Sequence, residues 1–265
     1  MTNIVIEQRD MVTIVTIDRP ARRNAVDSAT AIELRAAFEA FDANPAAKVA
    51  ILTGAGGTFC AGYDLHSVHE STPPYDAHGP GPMGPTRMLT SKPVIAAVEG
   101  HAVAGGLELA LWCDLRVAAE SAIFGVFCRR WGVPLIDGGT VRLPRLIGQG
   151  RALDMILTGR AVDATEALAI GLANRICPSG ETLEHAVELA RTIAAFPQLC
   201  MRADRLSAYR QWDCDLSDAL TQEGEGGEAP LRTEGLAGAG RFARGAGRGG
   251  VTDGKCGAVD TSPIA

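Results

Sequence analysis

The chain has 265 residues, 46% of them hydrophobic and 21% charged, and a formal net charge of −6. That composition suits a globular protein with one large core, and the acidic balance argues against a nucleic-acid binder, although local arginines can still hold an anionic ligand. The seven cysteines, at 60, 113, 128, 177, 200, 214 and 256, form no CxxC pair, and the N-terminal residues lack a basic region followed by an apolar one; both features point to reduced thiols in a cytoplasmic protein.

Residues 3–9 and 11–17 are rich in β-branched side chains and predict a hairpin, ended by Asp18-Arg19-Pro20. Thr30-x-x-Glu33 reads as a capping box. The helix it opens places Leu34, Phe38 and Phe41 on one face and stops at Asn44-Pro45. Residues 48–53 predict a short buried strand, followed by the glycine loop Gly54-Ala-Gly-Gly, which lacks the Lys-Ser/Thr ending of a phosphate loop. Proline and glycine recur through 66–86, which also holds His66, His69 and His78, and this stretch reads as a mobile loop next to a site.

Residues 93–98 predict another strand, a helix is expected to begin near Gly105, and 114–118 predict a further strand. Asp163-x-x-Glu166 caps a helix that ends at Gly171. From about residue 181 the pattern is helical, with Leu183, Val187, Ala190 and Ile193 on one stripe. After about Gly249 the periodicity is lost, as in a flexible tail. Short strands alternating with helices define an α/β class. The organisation read from this pattern is a core over 1–195, a helical region over 196–248 and a tail over 249–265.

The most informative stretch is 99–114, EGHAVAGGLELALWCD. Gly105 and Gly106 precede a lone acid, Glu108, whose neighbours Val103, Leu107, Leu109, Ala110, Leu111 and Trp112 are apolar. Burying such a carboxylate costs several kcal/mol unless it is paired, hydrogen-bonded or protonated. Glycines at a helix start leave free peptide N–H groups at its positive end. An acid beside an N–H-lined anion site is a place for proton transfer next to a developing oxyanion. The acids and glycines that interrupt residues 93–113 also argue against a membrane span. No His or carboxylate spacing marks a metal site.

Five segments, in order and spacing, resemble the crotonase superfamily of enoyl-CoA hydratase/isomerase proteins: DRPARRNAVD (18–27), FCAGYDL (59–65), KPVIAAVEGHAVAGGLELALWCDLRVAAE (92–120), DGGTVRLPRLIG (137–148) and LTGRAVDATEALAIGLANRI (157–176). The resemblance implies a spiral of ββα turns with a helical C-terminal region that assembles homotrimers or hexamers. It implies an acyl-CoA thioester as substrate, with coenzyme A arriving as part of that substrate and no separate cofactor. It places the two N–H donors of an oxyanion hole at Tyr63 and Gly105, flanked by Ala61; Asp64 beside them reads as bracing the turn through local hydrogen bonds. It places Arg22, Arg23 and Ala25 near the adenine and phosphates of coenzyme A.

Glu108 matches the first of the two acids that hydratases in this superfamily use. At the second, this sequence departs from the pattern, because Phe124-Gly125-Val126-Phe127-Cys128 puts Cys128 where the acid would stand. A thiol does not pair with Glu108 as a second carboxylate would to hold a water. Asp137, before Gly138-Gly139-Thr140, matches an aspartate that lies at the reacting carbons in dienoyl-CoA isomerases and aryl-CoA dehalogenases. From the sequence it either faces the acyl group beside Glu108 or caps the helix that follows. Arg129 or Arg130 would neutralise it or bind an acyl carboxylate, or else form a surface ion pair. These features favour isomerase or unusual lyase chemistry over ordinary hydration. The alternative is a non-catalytic acyl-CoA-binding protein.

Overall fold

The computed structural model describes residues 2–67 and 75–247. The chain divides after Ala190 into two compact units.

The first unit is built on a six-stranded sheet in the order β1-β2-β3-β4-β6-β9. Strands β1 (Ile4–Arg9) and β2 (Val12–Ile17) form the expected antiparallel hairpin, with Ile4 opposite Ile17. β3 (Val49–Gly54), β4 (Val94–Val98), β6 (Leu115–Ala119) and β9 (Arg175–Cys177) then pair in parallel. Parallel neighbours need crossovers that cover the faces of the sheet, so the inner strands are apolar along their whole length. Val49–Leu52 and Val94–Val98 are buried accordingly. A smaller sheet joins β5 (His101–Val103), β7 (Ile123–Gly125) and β8 (Ala161–Asp163) in that order.

Helix α1 (Ser28–Ala43) is the crossover from β2 to β3, and it buries Leu34, Phe38 and Phe41 as its periodicity predicts. Its cap differs from the expected box. Asp27 is the N-cap, and its Oδ1 accepts from Thr30 N (2.8 Å) and from Thr30 Oγ1 (2.7 Å). A carboxylate takes both donors at once, so the Thr30 hydroxyl serves the cap instead of being it. Helix α2 (Gly105–Trp112) has all eight residues buried. It packs on α1 through Phe38 and Trp112, whose rings meet edge to face at 4.7 Å. Helices α3 (Gly139–Ile147) and α4 (Gln149–Thr158) follow, separated by Gly148. Then comes α5 (Ala164–Ala169), where Asp163 accepts from Glu166 N (2.8 Å) and caps the helix as the sequence indicated.

Helix α6 (Thr182–Ala195) runs across the division between the units. In it Val187 and Ala190 are buried, while Leu183 and Ile193 are half-buried. The second unit continues with α7 (Gln198–Arg210), α8 (Leu216–Pro230), one π-helical turn (Leu231–Gly235) and α9 (Leu236–Ala243). The expected tail over 249–265 lies outside the described residues. So does part of the expected loop, including His69.

Candidate active site

Two backbone segments meet at the N-terminus of α2. The segment Cys60–Asp64 is fastened on both sides. Cys60 N donates to His101 O (2.9 Å) and Val103 N donates to Cys60 O (3.1 Å), which ties the segment to β5. Val26 N donates to Gly62 O and Asp64 N donates to Val26 O, each at 2.8 Å, forming a parallel bridge opposite Tyr63. Because a bridge of this kind uses the groups on either side of Tyr63, the peptide N–H of Tyr63 itself is turned away from it. Gly62 makes the turn with φ +103°, and a Cβ there would lie 2.9 Å from Gly105 N. The peptide groups of 62–63 and 105 are therefore neighbours.

Ala104, the residue before α2, has φ +54°, an uncommon conformation for a side chain larger than glycine. Its N–H is bonded to Gly125 O (2.9 Å). Gly105 then starts the helix with its N–H beyond the reach of any i−4 carbonyl of the helix. Close packing explains the glycine pair. A Cβ at Gly106 would lie 2.0 Å from Cys60 O, and one at Gly105 would lie 2.6 Å from Met83 Sδ.

These groups open onto a cavity of about 530 Å³. Its lining includes Ala61, Tyr63, Gly105, Glu108, Cys128 and Asp137, so six of the residues singled out in the sequence share one site. Glu108 is 3% exposed. Its Oε1 accepts from Asp137 N and Gly139 N, each at 2.8 Å. A Cβ at Gly139 would lie 2.9 Å from that oxygen, which accounts for the glycine. With Oε1 occupied twice, Oε2 is the oxygen left to meet a ligand. Burial, helped by the charge of Asp137 and opposed by the two N–H bonds, pushes the Glu108 carboxyl up to about 7.

Asp137 is also 3% exposed. Its Oδ1 accepts from Met83 N (3.0 Å) and from the Thr86 hydroxyl in a short contact. Burial raises its pKa, against the pull of those two bonds and of Arg87 and Arg142. Asp137 does not cap α3. The N-cap is Gly138, which makes no side-chain cap bond, and the carboxylate is directed to the 83–86 turn instead. Nor do Arg129 and Arg130 serve it. Arg129 Nε donates to Ile156 O (3.1 Å), while Arg130 donates to Gly159 O (3.2 Å) and stacks over Phe127 at 3.9 Å. The cation bound to the Asp137 peptide is Arg142, whose Nη1 donates to Asp137 O (2.9 Å) and whose Nη2 donates to Thr86 O (2.6 Å).

Cys128 sits in a 3-10 turn, Phe127–Trp131, and its thiol is pushed up first by burial and then by the Glu108 charge. The described part of the proline- and glycine-rich loop supplies Tyr75, Asp76 and Pro80–Gly84 to the cavity wall. Ser28 Oγ and Tyr63 Oη, 3.0 Å apart, form a polar pair, and both residues line the cavity. Asp64 braces the turn by accepting from His66 N (3.1 Å) and from Arg19 (3.3 Å), and Arg19 also binds Asp27 (2.7 Å).

Three residues of the early segment stand apart from the cavity. Arg22 and Arg23 are exposed and do not line it, although Arg23 O accepts from Ala61 N (3.0 Å) at the 60–64 turn. Ala25 is buried and its carbonyl accepts from Arg19. His66, His78 and His101 are exposed and none lines the cavity. Among the described residues no group of His, Cys, Asp and Glu is arranged to hold a metal. No described helix is long and apolar enough to cross a membrane.

Sequence reasoning missed Met83, Thr86 and Arg142, the residues that hold Asp137. They sit in or opposite an irregular loop, where no periodicity marks which group turns inward.

Comparison with known proteins places the chain in a family. The family model for enoyl-CoA hydratase/isomerase matches residues 7–234. The enoyl-CoA hydratase EchA19 of Mycobacterium tuberculosis is 41% identical over 217 residues, covering 79% of this chain and 81% of that protein. The 2,3-dehydroadipyl-CoA hydratase of Escherichia coli is 34% identical, covering 84% of this chain and 88% of that one. A crystal structure of an enoyl-CoA hydratase from Mycobacterium tuberculosis H37Rv superposes with a TM-score of 0.86 at 35% identity, covering 92% of this chain and 96% of the other. The family model and these relatives each cover most of the chain, and the chain belongs to the enoyl-CoA hydratase/isomerase (crotonase) family.

Proposed function

We propose that this protein moves protons along the acyl chain of an acyl-CoA thioester, with the peptide N–H groups of Tyr63 and Gly105 holding the thioester oxygen. The observation that carries this reading is the pairing of two buried acids, Glu108 and Asp137, on one cavity, with a thiol at Cys128. An ionised acid removes the proton on carbon α, negative charge passes to the thioester oxygen, and the two N–H donors stabilise it. The protonated partner then returns a proton farther along the conjugated chain. Glu108, titrating near 7, is suited to either half of that exchange at neutral pH.

Losing one oxyanion donor of this kind typically costs about 3–4 kcal/mol of transition-state stabilisation. Coenzyme A comes with the substrate, and Arg22 and Arg23, exposed beside the oxyanion turn, take its phosphates. The exposed Leu216, Leu236 and Phe242 of the C-terminal helices support assembly into homotrimers or hexamers.

The names of the relatives favour a second reading, addition of water to an enoyl-CoA. It would require Asp137 to hold the water that a second acid at position 128 would otherwise help to hold. The two readings separate in a direct assay. Isomerisation predicts that purified protein converts 3-enoyl- or dienoyl-CoA esters to their conjugated isomers and hydrates crotonyl-CoA slowly. Rapid hydration of crotonyl-CoA without isomerisation would establish the second reading, and binding of all these esters without turnover would establish a carrier.

A further inference from the structure

Arg87 carries more hydrogen bonds than an exposed side chain ordinarily does. Its Nη1 donates to three carbonyls of one turn, Asp76 O (3.1 Å), Ala77 O (3.0 Å) and Gly79 O (2.7 Å). Its Nη2 donates to Tyr75 Oη (2.8 Å) and to Ile136 O (3.2 Å), and the guanidinium lies 5.7 Å from the centre of the Tyr75 ring. Tyr75, Asp76 and Pro80 on one side and Ile136 and Asp137 on the other all line the acyl cavity. The residue before Arg87, Thr86, bonds the Asp137 carboxylate.

Carbonyl oxygens brought together around one point repel one another unless a cation lies between them. Only a planar fork with five N–H donors reaches the turn, the tyrosine and the 136 peptide at once; an ammonium offers three donors from a single centre. We propose that Arg87 is a positioning residue that fixes the 75–80 turn against Ile136, so that the two together form a preformed wall for a large apolar acyl group. The inference rests on the acyl-CoA reading above and adds to it that the acyl group exceeds a short chain. A cavity of about 530 Å³ with Tyr75, Ile32, Leu65, Phe127 and Trp131 in its lining has apolar room for more than an acetyl or crotonyl group beside the thioester end of coenzyme A.

A preformed wall spares the ligand the entropic cost of ordering the loop, and that saving applies only to ligands that touch the wall. The test is calorimetric binding of coenzyme A, acetyl-CoA and octanoyl-CoA to the full chain and to Arg87→Met, Arg87→Lys and Tyr75→Phe. Arg87 is exposed, so these changes leave no buried charge, and thermal melts confirm the fold. Arg87→Met is expected to weaken octanoyl-CoA by about five- to tenfold while leaving coenzyme A and acetyl-CoA within about twofold. Arg87→Lys is expected to recover part of that loss, and Tyr75→Phe to show a smaller loss. An unchanged octanoyl-to-acetyl ratio in Arg87→Met, or an equal loss for all three ligands, would overturn the assignment. A wild-type chain that binds none of the three would overturn the acyl-CoA reading itself, and the inference with it.

Discussion

At the scale of single residues, the proposed chemistry turns on Glu108. Its Oε1 is held by two peptide N–H groups, which fixes the carboxyl without neutralising it. Glu108→Gln keeps those acceptors and removes the titrating group, so turnover should fall by about 10²–10⁴-fold while acyl-CoA binding persists. Steady-state kinetics beside calorimetry checks this, and equal loss of both would contradict it. Gly62 gives a second, independent test. Alanine there takes on a strained backbone at φ +103° and places a methyl 2.9 Å from Gly105 N. Gly62→Ala is expected to lower kcat by about 10²–10³-fold through the oxyanion site, with the two acids untouched. Glu108 and Gly105 stood out because an acid among apolar residues and glycines at a helix start are chemically conspicuous, whereas Tyr63 came from the family resemblance alone. Asp137 kept two readings, because whether an aspartate turns back to its helix or across to a loop is settled by tertiary contacts with Met83 and Thr86.

At the scale of elements, the site depends on how α1, α2 and the 59–64 turn are anchored. Asp27 both caps α1 and binds Arg19, which also reaches Asp64 in the 60–64 turn. Asp27→Ala should therefore cost about 1 kcal/mol in stability, the ordinary worth of an N-cap, and should also loosen the turn. Chemical denaturation measures the first effect, and a rise in KM reports the second. Gly106→Ala probes the crossing of α2 over the 59–62 segment. Its methyl would lie 2.0 Å from a backbone carbonyl that has little freedom to move, so a loss of about 1–3 kcal/mol is expected. A fully stable Gly106→Ala variant would mean that the crossing is looser than described. Strands and helices were legible where periodicity was strong, as in the β1–β2 hairpin and the apolar face of α1. The cap of α1 was read one turn too late because a Ser/Thr-x-x-Glu pattern is common, and only the structure shows Asp27 receiving both donors.

At the scale of the whole molecule, the active site costs stability. An unfolded glutamate releases its proton near 4.5, whereas folded Glu108 holds it to about 7. Between those values the folded chain binds more protons than the unfolded one, so this group lowers stability as pH rises through that window, by about 3 kcal/mol once both states are ionised. Glu108→Gln removes the loss. The variant's advantage over wild type should be larger at pH 8 than at pH 4.5, and melts at the two pH values measure the difference. The family and its α/β fold were legible because five motifs occur in order, whereas the wall of the acyl cavity was not, because it is built from an irregular loop latched by Arg87. The proposed exchange moves protons on a thioester enolate through Glu108 and Asp137 together. Its most direct measurement is deuterium uptake by enoyl- and dienoyl-CoA esters in deuterated water, followed by mass spectrometry for wild type, Glu108→Gln and Asp137→Asn. Uptake is expected with wild type and is expected to be lost in both variants; uptake that survives in Asp137→Asn, or none with a wild type that binds the esters, would overturn the paired-acid reading.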